Sequence, residues 1–294
     1  MLLGNVAAVS TAFLWTVSSF AFSNASRAVG AFQLNIDRIG ITIVLLGIFN
    51  LVAGNLFKIN ESQILLLGLS GFVGLAFGDT FLFSAYRYIG PRLTIMISAL
   101  TPAFSAILAY FMLNEHLEYD IYFGMLITLA GILIVVYKKD TGADFNPSSM
   151  VKGVIFALLA MFGQALGLIL AKQALNITEI NSFIATFFRL SSAFIVIFPL
   201  TIIAKRYSNP IRIYRENRKA LTSVLIGSIF GPFFGITLSL VAISNTDVAV
   251  AATLMSTMPI LMLPISKYYY KENVTKVAVF GAVLSVIGVV IIFM

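Results

Sequence analysis

The sequence predicts an all-α integral membrane protein, with ten transmembrane helices arranged as two inverted five-helix repeats around a central cavity. Three observations predict it. Hydrophobic residues make up 60% of the 294-residue chain and charged residues 11%, against about half and a quarter in soluble domains. Apolar stretches of about 20 residues, each able to cross a hydrocarbon core roughly 30 Å thick, recur along the whole length. Residues 67–137, moved forward by 157 positions, fall on 224–294 without a gap. Gly74, Gly78, Thr80, Ala85, Pro102, Glu115, Gly124 and Gly131 then land on Gly231, Gly235, Thr237, Ala242, Pro259, Glu272, Gly281 and Gly288.

Each span is expected to be a helix, because a chain in lipid must satisfy its own backbone hydrogen bonds. The first, 3–23, carries the single tryptophan, Trp15, in mid-span; it follows no basic leader segment and reads as a retained helix rather than a cleaved signal. The second, 33–54, brings Asp37 and Arg38 into apolar surroundings. The third, 63–86, holds Gly78-Asp79-Thr80, and the fourth, 91–112, holds Ser98, Thr101 and Pro102. Pro102 removes a backbone donor, which predicts a kink there. In the fifth, 120–137, Gly124 and Gly131 stand two turns apart on one face, a surface for close helix packing. The polar connector Lys138–Ser149 divides the repeats, giving domains 1–140 and 150–294.

The second half follows the same plan. The sixth span, 151–171, carries Gln164 nearly where the first carries Trp15, and the seventh, 180–204, carries Arg189 where the second carries Arg38. A polar connector, Lys205–Lys219, precedes the eighth span, 220–243. The ninth, 247–269, holds Thr253, Ser256, Thr257 and Pro259, again with a predicted kink, and the tenth, 274–293, repeats the glycine face with Gly281 and Gly288. Five spans per repeat is an odd number, so the second repeat enters the membrane from the opposite side, a plan common among secondary transporters.

Charge sets the orientation. Connectors after odd-numbered spans hold nearly all the Lys and Arg, among them Arg27, Lys138, Lys205, Arg212 and Lys271, whereas those after even-numbered spans hold Lys58 and Lys172. The positive-inside rule places the first set in the cytoplasm and both termini outside. The net charge of +7 therefore reads as topology and headgroup contact, not nucleic-acid binding. The absence of cysteine excludes disulfides, thiolate metal sites and cysteine nucleophiles. The single histidine, His116, falls in a polar connector and reads as solvated. No HExxH, GxSxG or GxxxxGK[ST] pattern occurs, so no catalytic or metal-binding residue is assigned.

The candidates for a binding site are the polar groups inside spans: Trp15, Arg38, Asp79, Ser98, Thr101, Gln164, Arg189 and Ser256. A charge at mid-membrane costs roughly 2.5–3.5 kcal/mol on insertion scales, so it faces a partner or a wet cavity. Each arginine either ties helices together or meets a carboxylate or phosphate on a substrate. Asp79 has Ile236 as its repeat counterpart, so symmetry does not require it. It either binds a substrate ammonium or coupling proton, or pairs with Arg38 or Arg87. Glu115 and Glu272 fall on opposite membrane faces in an inverted pair and read as loop anchors.

The pattern Pro102…Leu113-Asn114-Glu115…Gly124…Gly131, repeated as Pro259…Tyr270-Lys271-Glu272…Gly281…Gly288, resembles the two copies of the EamA domain of the drug/metabolite transporter superfamily. The resemblance covers essentially the whole chain and is not specific to substrate. It implies a cavity built from helices 1–4 and 6–9, with helices 5 and 10 outside. It implies secondary transport, mostly export, of small organic solutes such as amino acids, with proton coupling or exchange, in the cell membrane. It requires no ATP and no bound cofactor. A monomer or weak homodimer in the bilayer is the expected assembly. Family members are usually drawn with both termini cytoplasmic, opposite to the charge bias here. A lipid-modifying membrane enzyme and a non-transporting scaffold are the competing readings; the first needs a cluster of His or acids at one interface, the second a filled interior.

Overall fold

The computed structural model describes residues 1–54, 59–98, 100–136, 147–205, 207–258, 260–261, 263 and 275–293, and every regular element among them is helical. Seven helical segments are long and apolar enough to cross a bilayer, and two shorter apolar ones, Thr101–Leu113 and Tyr119–Ile134, accompany them.

Helix α1 (Leu2–Val29) ends at Gly30, whose φ of 83° suits a glycine, and α2 (Ala31–Val52) starts directly after it. A capping box between Asn60 and Gln63 opens α3 (Glu61–Gly71). A π-helical stretch, Phe72–Phe77, joins α3 to α4 (Gly78–Ser98). α5 (Thr101–Leu113) ends at Asn114 in the left-handed region, and α6 (Tyr119–Val136) closes the first half. The second half runs through α7 (Pro147–Ile177), α8 (Ser182–Ile203), the short α9 (Pro210–Glu216) and α10 (Arg218–Ser228). A second π-helical stretch, Ile229–Ile236, leads into α11 (Thr237–Asn245), followed by α12 (Val248–Met255) and α13 (Lys276–Phe293). The two π-helical stretches stand at repeat-equivalent positions, 72 and 229 being 157 apart.

Two expectations need correction. The third and fourth spans were expected to part between 86 and 91, yet α4 runs through that interval to Ser98. A proline inside a membrane helix forfeits one hydrogen bond, whereas opening the backbone would strand several polar groups. Pro102 is not a mid-helix kink: it stands in the first turn of α5, where the missing N–H has no partner to lose. Within the polar connector 205–219, Asn209 caps the short α9. Pro259, Glu272 and most of the ninth span beyond Met258 lie outside the described residues.

The glycine faces meet each other. A Cβ on Gly131 would lie 2.5 Å from the Gly281 carbonyl oxygen and from the Ser285 nitrogen, and one on Gly288 would lie 2.6 Å from the Gly124 oxygen. Between these crossings Ser285 donates to the Thr128 carbonyl at 2.9 Å. Contacts 124–288 and 131–281 run in opposite senses, so α6 and α13 are antiparallel. Lipid offers no hydrophobic drive between helices, and backbone contact across small residues supplies the attraction instead.

The largest apolar cluster gathers at the end of the bundle where α1 starts and α13 finishes, called here the termini end. It joins Ala7 and Ala8 to Leu67, Ala109, Ile169, Ala174, Ala185, Ile243, Val248 and Ile292. Among the described residues, the contacts at the opposite end fall into separate groups. One holds Ala25, Leu34, Tyr214, Ala220 and Val224, and another holds Ala85, Ile89 and Ala157.

Gly131→Leu and Gly281→Leu should each lower the thermal midpoint in detergent, overpacking costing about 1–3 kcal/mol or more where backbone is struck. Gly68→Ala, with nothing within 4 Å of the added methyl, should leave the midpoint unchanged in the same melt.

Candidate functional site

Between the two ends lies a cavity of about 350 Å³, within the range of small-molecule sites. All eight sequence candidates border it. Trp15 comes from α1, Arg38 from α2, Asp79 and Ser98 from α4, and Thr101 from α5. Gln164 comes from α7, Arg189 from α8, and Ser256 follows α12.

The helices reach this arrangement by close packing at the π-helical stretches. A Cβ on Gly167 of α7 would lie 2.7 Å from the Gly74 Cα, and one on Gly235 would strike the Trp15 ring at 2.6 Å. The same contacts carry two hydrogen bonds: Ser70 donates to the Gly167 carbonyl at 2.5 Å, and Ser18 donates to the Gly227 carbonyl at 2.9 Å. Ser70 and Gly227 are repeat-equivalent, so each half ties its first and third spanning segments to the other half at one depth. π-Helical turns loosen the regular ladder and recur at functional sites.

The charged groups divide unequally. Arg38 donates from Nη2 to Asp79 Oδ2 at 2.9 Å and from Nε to Asn35 Oδ1 at 2.8 Å, and its guanidinium carbon lies 5.5 Å from the centre of the Phe22 ring. Arg189 is 3% exposed, makes no side-chain hydrogen bond to a described residue, and has an unpartnered Nε. The indole of Trp15 and the amide of Gln164 likewise have no hydrogen-bond partner among the described residues. By contrast, the Ser256 hydroxyl donates to the Ala252 carbonyl at 2.8 Å. Thr101 donates to the Ser98 carbonyl at 2.8 Å and to Met161 Sδ at 2.9 Å. These two hydroxyls are occupied; the arginine, indole and amide are not.

Sequence reasoning missed several wall residues. Ser18, Phe22, Leu75, Met161, Ser239 and Met255 also border the cavity. Ser18 and Phe22 follow Trp15 at helical spacing, a signal that was available. The methionines and Leu75 carry no signal apart from their neighbours.

Two polar clusters lie outside the cavity. At the termini end, Lys172 of α7 donates to the Ile243 and Thr246 carbonyls, the latter at 3.0 Å, and lies 3.9 Å from Glu115. Glu115 in turn accepts the Val248 backbone N–H at 2.9 Å, anchoring the start of α12. Burial raises the Glu115 pKa, and the Val248 hydrogen bond opposes that shift. At the opposite end, Asp37 accepts from Gln33, from Tyr207 at 3.1 Å and from Tyr214 at 2.6 Å, while Gln33 accepts the Ser208 N–H at 2.9 Å. Asp37 thus fastens the segment before and within α9 to α2. Burial and the neighbouring carboxylate push the Tyr207 pKa up to about 12, and Tyr214 is raised too.

The model of the EamA-like transporter family matches residues 2–137 and again 151–294. One solved structure, described only as a crystal structure of a protein, superposes with a TM-score of 0.78 at 18% identity. The superposition covers 98% of this chain and 95% of that one, and at such identity the likeness is one of fold. No curated protein matches the sequence.

Arg38→Gln strands a buried carboxylate and should cost about 3 kcal/mol or more in stability. Adding Asp79→Asn should recover part of the loss, and a double-mutant cycle by thermal melting reads the coupling. Tyr207, ordinarily titrating near 10.0, should ionise near 12 by ultraviolet difference absorbance, a midpoint that Asp37→Asn lowers. Because the folded value is raised, its stabilising contribution is complete below about 10 and is lost as pH rises through about 12.

Proposed function

The chain belongs to the EamA-like transporter family of the drug/metabolite transporter superfamily, and from that premise we propose that it is a secondary active transporter exporting small organic metabolites, amino acids or related solutes, by alternating access. The observation that carries the reading is a cavity with charged and unsatisfied polar walls in the middle of a multi-pass membrane protein. Such groups are expensive in hydrocarbon and are retained where a solute or ion passes.

The ten-span plan, with repeats 1–140 and 150–294 inverted, is supported by the antiparallel pairing of α6 and α13, the last described segment of each half. If the repeats pointed the same way, these two would run parallel. All eight wall residues, Trp15, Arg38, Asp79, Ser98, Thr101, Gln164, Arg189 and Ser256, are proposed as substrate contacts. Apolar packing at the termini end, with the Lys172–Glu115 anchor, seals the cavity there. The other end is taken as the point of entry. By charge bias that end, with Lys205, Arg212 and Arg215, faces the cytoplasm. A cavity loaded from the cytoplasm suits an exporter. With no phosphate-binding loop in the sequence, the driving force is assigned to a proton gradient or solute exchange. A scaffold would have no need of the cavity.

Reconstituted in liposomes, the protein should support counterflow of a small organic solute above empty vesicles. Asp79→Asn should cut that flux at least tenfold, and Glu115→Gln should cut it less. A folded sample that moves none of a broad panel of amino acids and related metabolites overturns the reading.

A further inference from the structure

Among the described residues, the cavity wall holds more positive than negative charge. Three ionisable groups of that set border it: Arg38, Asp79 and Arg189. Arg38 and Asp79 are joined at 2.9 Å, and the Asp79 charge is also felt at Arg189. The repeat counterpart of Asp79 is Ile236, which borders the same cavity and offers Arg189 nothing. Duplication thus supplied two arginines and a single acid.

We propose that the transported solute is a monocarboxylate with an apolar body, its carboxylate received by Arg189. The inference rests on the transport reading and names the chemistry of the same site. Arg189 is 3% exposed and its Nε has no partner. The carboxylate whose charge acts on Arg189, Asp79, is already hydrogen-bonded to Arg38, so a ligand anion would give the second buried guanidinium a carboxylate of its own. The planar fork of arginine fits a carboxylate through two parallel hydrogen bonds. The unoccupied groups nearby reinforce the choice. The indole N–H of Trp15 is a donor, and the Gln164 amide offers both donors and an acceptor. A substrate ammonium would have to compete with Arg38 for Asp79. Leu75, Met161 and Met255 supply apolar wall for the rest of the molecule. One net positive charge matches one negative charge; a zwitterion leaves the excess in place, and an amine adds to it.

Trp15 is the only tryptophan in the chain and borders the cavity, so its fluorescence reports occupancy without any transport measurement. Isocaproate, leucine and isoamylamine share one branched skeleton and differ in charged groups. The purified full chain in detergent should bind isocaproate saturably, leucine at least tenfold more weakly, and isoamylamine not at all. Arg189→Gln should weaken isocaproate binding at least tenfold. Arg189→Lys, which keeps the charge, should stay closer to wild type and serves if the glutamine variant does not fold. Leucine or isoamylamine binding as tightly as isocaproate overturns the proposal. So does wild-type affinity in a folded Arg189→Gln protein, or no response to any monocarboxylate from butyrate to decanoate. Counterflow separates the two readings: carboxylate binding without flux of any solute overturns transport and leaves the anion site standing. Leucine flux without carboxylate binding does the reverse.

Discussion

A backbone surrounded by hydrocarbon has no water to bond with, and that constraint orders the rest of the molecule. It makes every described regular element a helix and decides where helices are allowed to end. At several interruptions a side chain from another element supplies the missing partner. Gln63 donates to the Ala174 and Thr178 carbonyls near the end of α7. Lys172 does the same for α11, and the hydroxyls of Ser18 and Ser70 reach carbonyls beside the π-helical stretches. The polar residues of an apolar chain are therefore concentrated where helices begin, finish or loosen. The cavity lies between two loosened stretches because that is where ordinary ladder geometry gives way.

Repetition explains the scaffold, and its failures explain the chemistry. The glycines that let α6 and α13 touch are present in both halves. So are the π-helical stretches, and so are the arginines of α2 and α8. The acid is not. Asp79 against Ile236 breaks the symmetry in the one place where charge balance depends on it. A faithful duplicate would hold two acids; among the described residues the cavity wall holds one, which Arg38 binds directly and whose charge Arg189 shares without a hydrogen bond. Trp15 against Gln164 is a second departure, placing a large aromatic surface in one half and a compact amide in the other.

Much of this was legible in the residues. The apolar runs located the helices, and the offset of 157 located the glycines that pack. The cost of a charge in lipid singled out Arg38, Asp79 and Arg189 before any geometry was known. Three things were not legible. The break before Thr101 was hidden because a proline in an apolar run signals a kink and a helix start equally well. The role of Lys172 was hidden because a lysine near a helix end looks like any interfacial cation until the carbonyls it reaches are seen. The choice between Arg38 and Arg87 as the partner of Asp79 depended on distances across helices that sequence spacing does not encode.

Nine of the nineteen described residues buried in the cluster at the termini end are alanine: Ala7, Ala8, Ala109, Ala171, Ala174, Ala185, Ala242, Ala249 and Ala251. An alanine has no rotamers to freeze. Surfaces built from methyl groups are nearly smooth, so one can slide across the other by shear without interlocked side chains having to withdraw. Were this end to part and rejoin in the proposed transport cycle, its alanine share would incur no side-chain ordering penalty in either direction.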